Sequence, residues 1–144
     1  MIPDVNVLVA AFRTEHEAHR IATKWLQTTR QKCRIGSETL TLVPVVISGF
    51  LRVVTNSRIF QEPEAIEDAV EFIDGILSSP GATLSTTGQD WPLFRSKLLR
   101  NNLQGSKVTD AWIASIVESL SEHLVTLDRD FIRLLPKSDL TILR

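Results

Sequence analysis

Apolar residues recur at helical spacing in five stretches of the chain. Ala18, Ile21, Ala22, Trp25 and Leu26 share one face and predict an amphipathic helix over about 15–28. Ile47, Phe50, Leu51 and Val54 repeat that spacing after Pro44. Ile66, Ala69, Val70, Ile73, Ile76 and Leu77 mark a third helix, opening near Pro63 and closing before Pro80-Gly81. Trp91, Phe94 and Leu98 predict a fourth, with Asp90 as N-cap and Pro92 in the first turn. Ile113, Ile116, Val117 and Leu120 predict a fifth, with Ser106 placed to cap it.

Between these stretches lie short strand candidates: Ile2–Val5, Thr39–Val43, Ala82–Ser85, Leu124–Leu127 and Leu140–Leu143. Thr39 to Val43 alternates polar and apolar; the others mix short apolar runs with polar residues. Pro3 has no N–H to give a ladder, so the boundary of the first strand is loose. Strands alternating with helices imply crossover connections. The expected class is α/β, a three-layer fold with a mainly parallel central sheet of four or five short strands and helices on both faces. In such sheets ligands gather beyond the carboxyl ends of the strands.

Composition narrows the class further. The chain has 144 residues, 43% hydrophobic and 23% charged, which suits one globular domain over 1–144 with a sizeable core. The net charge of −1 excludes a generic polyanion binder, so any nucleic-acid contact must come from a local basic patch. Cys33 is the lone cysteine and cannot form an internal disulfide, which suits a reducing compartment. Met1-Ile2-Pro3-Asp4 does not begin a secretory signal, and the apolar run Leu40 to Leu51 is too short to span a membrane. The expected location is the cytoplasm.

Three acids then stand out by position. Asp4 lies at or just past the end of the first strand, followed by Asn6 and a turn into Val7-Leu8-Val9. Asp128 lies at the end of the strand before it, with Asp130 and Phe131 following. Parallel strands bring both to one edge of the sheet. Asp110 sits three residues before Ile113 and seven before Val117, which places it on the inward face of the fifth helix, one turn from its start. An acid there is costly to bury unless neutralised. The helix N-terminus offers ~0.3–1 kcal/mol; a divalent cation offers far more. Carboxylate oxygens suit Mg²⁺ or Mn²⁺, which polarise a phosphoryl oxygen and activate water. The plainer alternative is that Asp4 and Asp128 are turn formers or caps and Asp110 a first-turn acid favoured by the helix dipole.

The same residues resemble a known family. Pro3-Asp4-Val5-Asn6-Val7-Leu8-Val9 resembles the first motif of PIN domains, and Thr109-Asp110-Ala111-Trp112-Ile113-Ala114 their helix-start motif. Thr126-Leu127-Asp128-Arg129-Asp130-Phe131 resembles the closing motif. Gly49-Phe50-Leu51-Arg52-Val53-Val54-Thr55-Asn56, continuing to Arg58-Ile59-Phe60, resembles a segment of VapC-type toxins. The likeness runs in order along nearly the whole chain. It implies a metal-dependent endoribonuclease, the toxin of a toxin–antitoxin pair. By it, Asp4, Asp110 and Asp128 are the catalytic, Mg²⁺- or Mn²⁺-binding acids, with Asn6, Thr126 and Asp130 in support and Arg52 on the RNA. It also implies a homodimer and a small antitoxin that covers the site.

One position departs from that pattern. Many PIN domains carry a Glu on the second major helix, a few residues before an Arg; here Gly49 stands three before Arg52. That leaves open one metal or two, and favours the rival reading of a catalytically weak or inactive module that binds RNA or a partner. A third reading, phosphotransfer through Asp4, lacks the second Asp such chemistry uses. Arg52, Arg58, Arg95, Lys97, Arg100 and Lys107 form either a phosphate-binding stripe or an ordinary solvated face. His16, His19 and His123 lack zinc-ligand spacing, although His19 falls where a site histidine is common in the family. Trp25, Trp91 and Trp112 follow core spacing, with base stacking by Trp112 as the alternative. No P-loop or nucleophile elbow is present.

Overall fold

The computed structural model describes residues 1–85 and 90–144. The order is β1 (Ile2–Pro3), α1 (Val5–Phe12), α2 (His19–Arg34), β2 (Leu40–Leu42), α3 (Pro44–Val54), α4 (Ile66–Leu77), β3 (Ala82–Leu84), α5 (Trp91–Asn101), α6 (Lys107–Ser119), β4 (Leu124–Thr126) and β5 (Leu140–Ile142). Short 3-10 turns cover Arg129–Arg133 and Lys137–Asp139.

All strand pairs are parallel, as the alternation of strands and helices predicts. The order is β1-β4-β5 in one ladder and β2-β3 in the other. A hydrogen bond from Thr41 N–H to Met1 O, 2.8 Å, joins the two. That bond also explains Pro3. The N–H groups of Ile2 and Asp4 both point at β4, donating to His123 O and Val125 O at 2.8 Å each. Successive N–H groups alternate sides, so the missing N–H of Pro3 faces β2, where the joining ladder is already ending. Thr41 is 4% exposed, so the polar and apolar alternation of β2 does not mark a solvated face. Its hydroxyl donates to Glu122 at 2.7 Å instead.

The largest difference from the sequence reading is α1. Val5–Phe12 is a helix, where a turn was expected. Apart from Asn6 the segment is apolar throughout, so no periodicity distinguishes helix from strand. Asp4 starts the helix: its side chain accepts the Val5 N–H at 2.7 Å. Val7, Leu8, Val9, Ala10 and Ala11 are all buried. A second difference is α2, which begins at His19, later than 15, and runs on to Arg34. Residues 13–18 form turns instead, with His16 Nδ1 accepting the Ala18 N–H, and Thr29 and Cys33 continue the buried face. Neither Ser106 nor Asp90 makes a side-chain cap bond; Asp90 accepts from Trp112 Nε1 at 2.8 Å instead.

Helices α1 and α2 pack together, as do α1 with α3 and α3 with α4, while α5 packs on α6. Phe12, Phe50 and Phe72 meet with ring centroids 5.1–5.5 Å apart, tying α1, α3 and α4 into one core. Such pairs add ~0.5–1.5 kcal/mol beyond their buried area. Arg13, just past α1, is buried under Phe60 with its guanidinium carbon 3.9 Å from the ring centroid. It also pairs with Glu15 and Glu64 and donates to Glu62 O. No helix among the described residues is long and apolar enough to cross a membrane.

Gly49 sets how closely α3 approaches the start of α1. A Cβ there would stand 2.7 Å from Val5 Cγ2. We predict that Gly49→Ala loses about 1–2 kcal/mol in urea unfolding. An overpacking cost of ~1–3 kcal/mol outweighs the ~1 kcal/mol gained in helix propensity. Adding Val5→Ala should recover most of that loss. A single variant as stable as the parent would refute the close-approach account.

Candidate metal centre

Asp4 follows β1 directly, and the register Pro3↔Val125 sets it level with Thr126 of β4. It is 4% exposed. Its Oδ1 accepts the Val5 N–H, and its Oδ2 accepts from Thr126 Oγ1 and Asn6 Nδ2 at 2.6 Å each. Asn6 Oδ1 in turn accepts the Leu127 N–H at 3.0 Å, and Thr126 Oγ1 the Asp128 N–H at 3.0 Å. Asn6 and Thr126 thus staple the carboxyl ends of β1 and β4 and hold Asp128 beside Asp4. Burial pushes the Asp4 carboxyl up to about 6. The bonds from Thr126 and Val5 oppose that rise, and the charges of Asp110 and Asp128 add to it.

Asp110 stands in the first turn of α6, half-buried. Burial raises its carboxyl too, although Lys107 pulls it back down. Asp128 caps the 3-10 turn after β4, its Oδ1 accepting the Asp130 N–H at 2.8 Å. The plain role of turn former therefore holds for Asp128. It coexists with a place in the site: Asp4, Asn6, Gly49, Arg52, Asp110 and Asp128 all line one cavity of about 570 Å³. Asp130 does not line it. Its exposed carboxylate pairs with Lys107 at 2.7 Å, which lowers its proton affinity. The same lysine leaves Asp110 raised and Asp130 lowered because Asp110 is half-buried and Asp130 is in solvent.

Lys107 is the residue whose place the sequence reading did not anticipate. Its ammonium points into the acids, 3.1 Å from Asp110, 3.5 Å from Asp128 and 2.7 Å from Asp130. It is not part of an outward phosphate stripe. Its spacing of three before Asp110 on a helix was the available signal. His19 binds the backbone carbonyl of Ala10 at 2.9 Å and is not among the residues lining the cavity. Trp112 stacks on Phe94 at 6.1 Å and bonds Asp90, tying α6 to α5. Cavities of about 600 and 720 Å³ lie elsewhere, but the first holds one acid, and in the second Arg13 pairs with Glu15 and Glu64. Size therefore does not select the site; its chemistry does.

The donor set consists of carboxylate oxygens, the ligands of a hard divalent cation. As the side chains stand, no three His, Cys, Asp or Glu groups among the described residues form a ready metal cluster. Both oxygens of Asp4 and of Asp128 already accept hydrogen bonds, and Asp110 Oδ2 faces the ammonium. An ammonium held by three carboxylates shows that this place attracts positive charge. The donor type, carboxylate oxygen, is the one a divalent ion takes, and in this structure the Lys107 ammonium stands among those carboxylates.

The family model of the PIN domain matches residues 1–134. The chain belongs to the PIN-domain family. Among its relatives, the VapC ribonuclease Mb2897 of Mycobacterium bovis is 33% identical over 131 residues, 90% of this chain and 86% of that protein. Ribonuclease VapC25 of Mycobacterium tuberculosis is 31% identical over 90% of this chain and 89% of its own. The fold matches a chain of the VapBC2 structure from Rickettsia felis, bound to a DNA fragment from their promoter. The TM-score is 0.67 at 18% identity, covering 99% of this chain and 98% of that one. The parallel α/β sheet and helices expected from the sequence are therefore those of a PIN domain.

In this PIN domain the buried Asp4 leaves a mark on stability. Its carboxyl lies at about 6 when folded against an ordinary 3.8. The folded chain therefore holds a proton that the unfolded chain releases between those values. The stability this group confers is complete at low pH and is lost as pH rises through about 6. We predict that, in EDTA, the parent's Tm declines between pH 4 and pH 7 more steeply than that of Asp4→Asn. Parallel Tm–pH curves for the two proteins would contradict the burial of this charge.

Proposed function

We propose that this chain is a metal-dependent endoribonuclease that works as the toxin of a toxin–antitoxin pair, its 144 residues acting as one domain. Asp4, Asp110 and Asp128 are the metal-binding and catalytic acids. The observation that carries the reading is their convergence on one cavity, from three distant parts of a chain whose relatives are named ribonucleases. The proposed cation is Mg²⁺ or Mn²⁺, the substrate an RNA phosphodiester and the partner a small antitoxin. We further propose a homodimer working in the cytoplasm.

The roles of the side chains follow from their contacts. A divalent ion at these acids would supply Lewis acidity toward a phosphoryl oxygen and activate water for attack. Thr126 and Asn6 hold Asp4 in one orientation and favour its ionised form. Asp128 is fixed by the Asp130 N–H and by Thr126, so its carboxylate reaches the cavity from a rigid turn. Arg52, in the last turn of α3, lines the same cavity and is placed to bind a phosphate of the strand being cut. Asp130 balances Lys107 from outside the cavity. The near-complete burial of Asp4 leaves a phosphoryl donor little access to its carboxylate, which counts against a phosphotransfer nucleophile.

A second reading rests on Gly49. It lines the cavity where an acid is common in the family, and a side chain there would have to push Val5 aside. A site with fewer acids suits a weak enzyme or a binding module. Cleavage of a labelled RNA, run with EDTA and with Mn²⁺ on the parent and on Asp110→Asn, separates the two. We predict cutting that needs the divalent ion and falls on the order of a hundredfold or more in the variant. RNA binding without any divalent-dependent cutting would favour the binding module. Equal cutting by both proteins would discard the mechanism.

A further inference from the structure

Lys107 occupies the first position of α6, where a positive charge is opposed by the helix dipole. Something at this place must favour it. Its ammonium faces the Oδ2 atoms of Asp110, Asp128 and Asp130 together, at 3.1, 3.5 and 2.7 Å. Two of those acids line the cavity with Asp4; the third lies outside it. The ammonium is thus the one cation paired with these acids among the described residues, and it engages one oxygen of each of two of the three proposed metal ligands.

We propose that Lys107 is a built-in competitor for the divalent ion: its ammonium latches Asp110 and Asp128 shut and must leave them when a cation loads. The inference rests on the metal-site reading given above and adds a regulator of loading to it. An ammonium carries one charge and no coordination bonds, so a divalent ion displaces it, but at a cost in affinity. Asp130 is the holding acid outside the cavity, since it keeps the closest contact with the ammonium and is exposed enough to follow the lysine as it swings out. Asp4, which does not touch Lys107, stays fixed by Thr126 and Asn6 throughout.

The test is titration calorimetry of the full chain with Mn²⁺ alone, without RNA, on the parent, Lys107→Met, Lys107→Arg and Asp110→Asn. Circular dichroism melts verify that each variant is folded. We expect Lys107→Met to bind Mn²⁺ at least tenfold more tightly than the parent, and Lys107→Arg, which keeps the charge, to stay within a few-fold of it. Asp110→Asn should lose binding. A merely structural role for Lys107 would change the melt and leave Mn²⁺ affinity unchanged or weaker, and that result overturns the proposal. If the parent binds and Lys107→Met binds equally, only the latch fails. If neither protein binds Mn²⁺, the metal-site reading fails and the latch with it.

Discussion

The burial of one carboxylate at the end of the first strand governs the rest of the site. Asp4 is placed where almost no water reaches it, and an ionised group there must be matched by hydrogen bonds or by charge. Thr126 and Asn6 supply the bonds, and in doing so they fasten the carboxyl ends of β1 and β4 together. The same side chain caps α1 through Val5. One residue thus ends a strand, starts a helix and locks two strands in register. The hydrogen bonds do not fully offset the desolvation, as the raised proton affinity of Asp4 records. That remaining demand for positive charge supports the proposal of a cation in the cavity.

Around that centre the chain balances negative charge from two directions. Asp110 and Asp128 arrive from α6 and from the turn after β4, and the charge of each adds to the electrostatic cost of Asp4. Lys107 opposes them from the outer side, with Asp130 steadying it. Arg52 lines the inner cavity from α3. On the α3 side, Gly49 is shaped by packing rather than by charge, because Val5 fills the space that a side chain there would need. The departure from the common family pattern is therefore built into the contact between α1 and α3, and a simple exchange of Gly49 for an acid would meet Val5 first.

Much of this was legible in the sequence, and what was not has physical causes. Helices α3 and α4 announce themselves by apolar spacing because each has one buried face and one wet one. Helix α5 buries no residue fully and α6 is buried at every position from Ile113 to Val117, so there the spacing marked the helix without marking a single core face. Helix α1 shows no such spacing, since apart from Asn6 it is apolar throughout and short, and only the capping bond from Asp4 shows which structure wins. The three acids were readable from their places at strand ends and at a helix start. Their hydrogen-bond partners Asn6 and Thr126 came from the family resemblance rather than from spacing. The position of Lys107 was not readable as a charge partner of three acids, because two of them lie more than twenty residues further along the chain. Asp90 and Ser106 were read as caps from residue type alone; Asp90 instead bonds the Trp112 indole, a tertiary contact no local pattern reveals.

The central claim is that acids remote in the chain share one positive ion next to Asp4. Anomalous diffraction from crystals of the protein soaked in Mn²⁺ addresses it most directly. We predict a single strong peak within coordination distance of Asp4, Asp110 and Asp128, with the Lys107 ammonium moved off Asp110. Density for Mn²⁺ only at surface positions, with the lysine still seated among the carboxylates at high Mn²⁺, would contradict it.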